Sequence, residues 1–354
     1  MLTELAIYIG VIAAATGVVW TGSDWLESSS VSLAAHYRLP PVVQGGIIAA
    51  VGSSFPELSS TVLATLIHGE FELGVGVIVG SAIFNILVIP GVAGLAGGGL
   101  RMDWKLVYKD AQFYITSVAV LLLTFSLAVI YRPVPDAVLT GELTRWLALI
   151  PIALYGLYLF LQQQETADYQ VDRPAPEQVR VGREWLKLAA SLMVILAGVE
   201  ALLWAAIGLG DLFDTPSFLW GLTVLAAVTS VPDLFVSLRA ARRQQGTVSM
   251  ANVLGSNIFD LLIAVPLGVL IAGSAHVRYD VAAPMMAVLT LATIVLFTML
   301  RTRMTLSRSE SLILLSLYGV FIVWIGLETI GVTSLVHRRY LLCIRAVIAV
   351  SALP

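Results

Sequence analysis

Apolar runs of bilayer length recur along the chain, at about 5–23, 43–66, 73–97, 112–131, 144–163, 186–208, 218–238, 250–273, 280–300 and 310–330. Each lies near the roughly 20 residues that a helix needs to cross a hydrocarbon core. The pattern predicts an all-α integral membrane protein of ten transmembrane helices. One sustained polar stretch, rich in charge and proline, breaks the series at 164–185. It separates a first half, 1–163, from a second, 186–332, with five spans in each, and a tail follows at 333–354.

Of the 354 residues, 58% are hydrophobic and 12% charged, whereas a soluble domain carries roughly 25% charge. Such a chain cannot coat a soluble globule, so its expected surroundings are the lipid bilayer. A net charge of −3 without a basic stripe excludes a nucleic-acid partner. The single cysteine, Cys343, excludes an intramolecular disulfide and a thiolate metal centre. Composition leaves the oligomeric state open.

The two halves repeat one another. Gly-Ser-Ser-Phe-Pro-Glu ending at Glu57 returns as Val-Thr-Ser-Val-Pro-Asp ending at Asp233, and Gly-Ser-Ala-Ile-Phe-Asn ending at Asn85 returns as Gly-Ser-Asn-Ile-Phe-Asp ending at Asp260. The step is 176 positions for the first pair and 175 for the second, and it also carries Asp24 to Glu200. The repeated regions span about 43–97 and about 218–273. An odd number of spans per half makes the second half enter the membrane from the opposite side, so the repeats are inverted, as in many secondary transporters. The basic residues agree. With the amino terminus outside, Arg38, Arg101, Lys105, Lys109, Arg173, Arg180, Arg183, Lys187, Arg239, Arg242, Arg243, Arg301, Arg303 and Arg308 fall on the cytoplasmic side. The outer connections hold only Arg132, Arg145 and Arg278. The positive-inside rule then gives a multi-pass cell-membrane protein whose 164–185 loop is cytoplasmic.

Candidate chemistry lies where apolar spans contain groups that hydrocarbon rejects. A carboxylate at mid-bilayer normally faces a partner, an ion or a water-filled cavity. Glu57 and Asp233 each sit mid-span directly after a proline. Pro56 and Pro232 cannot donate to the carbonyls four residues back, so broken helices with freed backbone oxygens are expected at the midplane. Ser53 and Ser54 precede Glu57 by four and three residues, and Thr229 and Ser230 precede Asp233 likewise, which puts each pair one turn from its acid. Ser81 with Asn85, and Ser256 with Asp260, are spaced by four. The donors are all oxygens, which suits a hard cation such as Ca²⁺ with its roughly 6 to 8 oxygen ligands and disfavours zinc or copper.

These motifs resemble the cation/calcium exchanger superfamily, and the resemblance spans all ten predicted helices. GSSFPEL followed by GVGVIVGSAIFNIL is similar to the first repeat of potassium-dependent sodium/calcium exchangers, and TSVPDL followed by NVLGSNIFD to their second. The resemblance implies that Glu57 and Asp233 together hold Ca²⁺. Ser53, Ser54, Thr229, Ser230, Ser81, Asn85, Ser256, Asp260 and the carbonyls of Ala50 and Ala226 match the surrounding ligands. It departs at Val77 and Ala82, where many relatives carry asparagine, and at Asp233, where many carry glutamate.

The expected activity is therefore antiport of Ca²⁺ against Na⁺ by alternating access, with the first and sixth helices sliding over a rigid core. K⁺ cotransport is a further expectation, because Asp260 adds a third charge. Ca²⁺/H⁺ exchange is the nearest alternative. An intramembrane aspartyl protease also needs two membrane acids but has no use for the duplicated hydroxyls, and a cation channel would pass ions without a counter-ion. No enzyme activity and no cofactor beyond the transported ions are expected. Other features have blander readings. Asp24 and Glu200 read as structural or entrance groups, Asn252 as a helix-packing hydrogen bonder, and the glycines of 73–80 as sites of close packing. His36, His68, His276 and His337 read as solvated.

Overall fold

The computed structural model describes residues 1–37, 50–104, 106–135, 137–167 and 180–329. The tail, Cys343, His337, Arg38, Lys105, Arg173 and most of the 164–185 loop lie outside the described residues. The helices are α1 (Leu2–His36), α2 (Ala50–Leu66), α3 (Phe71–Gly97), α4 (Leu106–Tyr131), α5 (Arg145–Ala167), α6 (Val181–Phe213), α7 (Ser217–Thr229), α8 (Val231–Arg242), α9 (Gly246–Ala272), α10 (Tyr279–Arg303) and α11 (Arg308–Thr329). Among the described residues eight of them are long and apolar enough to cross a bilayer, or nine if α7 and α8, bent by 42° at Ser230, form one span. The remaining helix, α2, has 17 described residues.

Helix α3 is the centre of the molecule. In its most apolar window 89% of residues are buried, against 11% for α1, so α3 faces protein all round while α1 turns largely to the membrane. Its glycines permit the close approach. A Cβ on Gly80 would collide with the backbone oxygen of Leu222 in α7, and one on Gly74 would lie 2.7 Å from Thr61 Cα in α2. The expectation of close packing along 73–80 is met.

Helices α1 and α6 run further than their apolar cores predict, to 35 and 33 residues. At 1.5 Å per residue each exceeds the roughly 30 Å hydrocarbon thickness, so the pair must tilt or project from it. Polar Ser29 and Ser32 do not end α1, because their hydroxyls bond back to the carbonyls of Trp25 and Ser28 at 2.7 and 2.8 Å. The seam between the two helices is reciprocal. A Cβ on Gly22 would lie 2.6 Å from Ile195, and one on Gly198 would lie 2.8 Å from Val19; Gly22 with Gly198, and Val19 with Ile195, are each 176 positions apart.

Two antiparallel ribbons tie the connections together. β1 (Leu100–Arg101) pairs with β4 (Thr305–Leu306), and β2 (Thr140–Thr144) pairs with β3 (Ser274–Arg278) in the register Thr140↔Arg278 to Thr144↔Ser274. β1 and β3 follow equivalent helices of the two halves, as β2 and β4 precede equivalent ones, so the two ribbons also exchange under the repeat.

Candidate ion-binding site

Helices α2, α3, α7, α8 and α9 bring one group of polar side chains together inside the apolar core. Glu57, Asp260, Asn85, Ser54, Ser81 and Ser230 are 0% exposed, Thr229 and Asp233 1%, and Ser256 2%. Ser53 is partly buried and lies beside Asp233. Ala226 is buried in α7, and Ala50 is the first described residue of α2.

The contacts come in matched pairs. Ser256 donates to Asp233 Oδ2 at 2.6 Å, and its counterpart Ser81 donates to Glu57 Oε1 at 3.4 Å. The hydroxyls of Ser54 and Ser256 are 2.6 Å apart, and those of Ser230 and Ser81 are 2.8 Å apart. Ser53 neighbours Asp233 as Thr229 neighbours Glu57. Asp260 stands near both Glu57 and Asp233 and next to Ser54. Among the described residues no three His, Cys, Asp or Glu side chains alone form a metal cluster. An ion at this place would complete its shell with hydroxyl, amide and backbone oxygens.

Among the described residues the broken helix is present in the second half only. There α7 ends at Thr229, and Pro232 sits in the first turn of α8, where its missing N–H costs no hydrogen bond. In the first half α2 runs continuously through Pro56, which corrects the expectation of two matching breaks over the described residues. The carbonyl of Ala226, which the resemblance matches to an ion ligand, accepts from Ser230 N at 3.2 Å and from Thr229 Oγ1 at 3.3 Å. Asp260 opens a π-turn, Asp260–Ala264, ahead of Pro266, the kind of helix irregularity that gathers at functional sites.

Two asparagines join the site beyond those expected. Asn252, read from sequence as a packing group, donates to Asp233 Oδ1 at 3.3 Å. Asn257 accepts from Asn85 Nδ2 at 2.9 Å and donates to Ala82 O at 3.3 Å and Tyr114 Oη at 3.2 Å. Asn85 Nδ2 in turn lies 3.5 Å from Asp233 Oδ2. Their repeat counterparts are Val77 and Ala82, two of the positions where the resemblance departs. His68 also departs from expectation: it is partly buried, with Nε2 2.9 Å from Glu200 Oε1, while His36 and His276 are exposed.

With this geometry established, comparison with known proteins is decisive. The family profile described as sodium/calcium exchanger protein matches residues 7–163 and 184–327. The chain belongs to this family. Among the exchanger relatives, the sodium/calcium exchanger MaX1 of Methanosarcina acetivorans is 24% identical over 333 residues, covering 85% of this chain and 93% of that protein. The mouse sodium/potassium/calcium exchanger 4 is 38% identical over 142 residues, covering 40% of this chain and 20% of its own length. Solved structures of the sodium-calcium exchanger NCX_Mj share the fold, one of them with a TM-score of 0.61 at 23% identity over 91% of this chain and 99% of that one. The family is one of membrane exchangers rather than enzymes, so this is a multi-pass cation exchanger, which weighs against the protease alternative.

Proposed function

We propose that the chain exchanges Ca²⁺ for Na⁺ across the cell membrane by alternating access, the two ions competing for the buried oxygen cluster between α2, α3, α8 and α9. The observation that carries this reading is the convergence of Glu57, Asp233 and Asp260 with five serine and threonine hydroxyls and Asn85, all of them buried. Hydrocarbon gives no reason to gather three acids except to face a cation. Glu57, Asp233, Asp260, Asn85, Ser54, Ser81, Thr229, Ser230, Ser256 and Ser53 serve as ligands or immediate supports. The carbonyls of Ala50 and Ala226 would join once their helices open.

The architecture in this reading is ten crossings in two inverted halves, with α2 one span and α7–α8 another, the amino terminus outside and 164–185 cytoplasmic. Reciprocal contacts such as Gly22 with Ile195 and Gly198 with Val19 support a two-fold relation between the halves. Three acids against one Ca²⁺ leave one negative charge, which a cotransported K⁺ would answer beside Asp260.

The experiment is ⁴⁵Ca²⁺ uptake by proteoliposomes under imposed Na⁺, K⁺ or H⁺ gradients. An outward-directed Na⁺ gradient is expected to drive uptake. Uptake driven by a pH gradient alone would assign protons as the coupling ion, and equal uptake without any gradient would indicate a channel.

A further inference from the structure

The two ribbons differ in what their arginines do. Of the three at β2–β3, two are engaged: Arg278 Nε lies 3.1 Å from Glu72 Oε1, and Arg145 donates from Nε to the carbonyl of Leu270 at 3.0 Å, leaving Arg132 exposed. At β1–β4 four exposed arginines gather, and among the described residues none of their guanidinium groups forms an ion pair or a hydrogen bond. Arg101 lies on β1 opposite Thr305, Arg301 and Arg303 occupy the last turn of α10, and Arg308 opens α11. The backbone holds them at one place. Met102 N donates to Met304 O at 2.8 Å, and a Cβ on Gly98 would lie 3.8 Å from Arg308 Nη2. Arg301 stands over the ring of Tyr108 at 5.4 Å, and Trp104 on the same rim is 61% exposed.

Helix stability does not account for the group. Cations in the last turn of α10 suit the negative end of its dipole, but Arg308 stands at the positive end of α11, where a cation is unfavourable, and Arg101 is in a strand. Glu310 is directed at Ser307 rather than Arg308: its Oε2 accepts from the Ser307 N–H at 2.7 Å and hydroxyl at 2.6 Å. Of the acids on this edge, Asp103 is exposed while Asp110 and Glu310 are half-buried, so the surface is positive overall.

The depth of the patch decides the partner. Helices α4 and α10 are apolar spans of 26 and 25 residues. At about 1.5 Å per residue they exceed the roughly 30 Å hydrocarbon thickness, so the start of one and the end of the other lie among lipid headgroups. Exposed Trp and Tyr belong to that interface, and guanidinium groups without a carboxylate take phosphate oxygens there. We propose that the β1–β4 ribbon binds anionic phospholipid, with its arginines on the headgroup phosphate and Trp104 beside the acyl boundary. A zwitterionic choline headgroup brings its own cation against the four arginines and fits less well. The ribbon joins the ends of α3 and α10 to the starts of α4 and α11, so a bound headgroup holds these four helices at one depth. This inference does not depend on which ions are exchanged.

The test is thermal melting of the detergent-solubilised full chain titrated with phosphatidylglycerol. The lipid is expected to raise the melting temperature saturably, whereas phosphatidylcholine and inorganic phosphate leave it unchanged. One basic group beside an anionic headgroup contributes about fivefold in affinity, so Arg303→Gln should raise the half-saturating lipid concentration about fivefold and Arg303→Gln with Arg308→Gln about twenty-fivefold. Arg132→Gln, at the opposite ribbon, should keep the parent value. Equal stabilisation by phosphatidylcholine, the same shift with inorganic phosphate alone, or parent-like half-saturation in the double variant overturns the assignment. Should the double variant not fold, Arg101→Gln decides: it lies in a strand, disturbs no helix end, and should show the single-residue shift.

Discussion

Nε2 of His68 and Oε1 of Glu200 lie 2.9 Å apart, joining the turn after α2 to the middle of α6. Trp20 on α1 stacks on Phe235 of α8 with ring centroids 4.7 Å apart. These are ties between the α1–α6 pair and the bundle that holds the acids. If the pair slides during transport, both ties must part in each cycle. A single partly exposed polar contact of this kind contributes about 1 kcal/mol or less, so losing it should barely change stability.

Covalent closure of the same tie should stop transport. In a Cys343→Ala background, His68→Cys with Glu200→Cys bridged by a short bifunctional thiol reagent is expected to abolish Na⁺-driven Ca²⁺ uptake. Reduction should restore it when the bridge contains a disulfide. Undiminished uptake by the bridged protein would mean that α6 does not move against the turn after α2.

Topology makes a second prediction. Ile67 after α2 is 61% exposed, and its repeat counterpart Arg243 after α8 is also exposed. Single cysteines at these two positions, again with Cys343→Ala, should react with an impermeant maleimide from opposite sides of the membrane. Labelling of both from one side would remove the inverted repeat.

Glu57, Asp233 and the serine pairs were legible because duplicated polar groups at one fixed step stand out against hydrocarbon. Asn252, read as a helix-packing hydrogen bonder, does bond across helices, and what the sequence did not show is that its partner is Asp233 Oδ1, at 3.3 Å. A lone amide in an apolar helix has the same sequence pattern whether it bonds a neighbouring helix or a carboxylate. Asn257 was hidden by the repeat itself, since its counterpart is Ala82 and the duplication that exposed the other candidate residues is absent there. The uninterrupted course of α2 through Pro56, against the 42° break before Pro232, is likewise invisible in two motifs that share the same proline. His68 was misread because its partner Glu200 is distant in sequence and meets it only through the packing of α2 against α6.

The proposed potassium dependence is tested at Asp260. Both of its oxygens are buried, with the Ser54 hydroxyl beside it, so its charge must be met by a cation or lost. Na⁺-dependent Ca²⁺ uptake by the parent is expected to rise when K⁺ is supplied with Ca²⁺. Asp260→Asn, which matches the amide already present at Asn85, should no longer respond. Equal uptake by the parent with and without K⁺ would leave Na⁺ or a proton as the counter-charge at Asp260.

Removing the acid at the opposite side of the cluster should be more severe. Glu57 offers one buried oxygen with no partner and another that accepts from Ser81 at 3.4 Å, with Thr229 beside it, so Glu57→Gln exchanges a poorly compensated charge near Asp260 for a neutral amide. A divalent ion loses both the charge and one of its oxygens, and Ca²⁺ uptake is expected to fall at least about a hundredfold, equivalent to some 3 kcal/mol of lost binding. Folding should survive, because a neutral amide is less costly to bury in the apolar core than an uncompensated carboxylate, and thermal melting of the purified protein without Ca²⁺ should be unchanged or higher. Adding Ca²⁺ should raise the melting temperature of the parent and not of the variant, since a ligand stabilises only the form that binds it. A Ca²⁺-dependent rise of equal size in both proteins would remove Glu57 from the ion site, whatever the uptake assay gave.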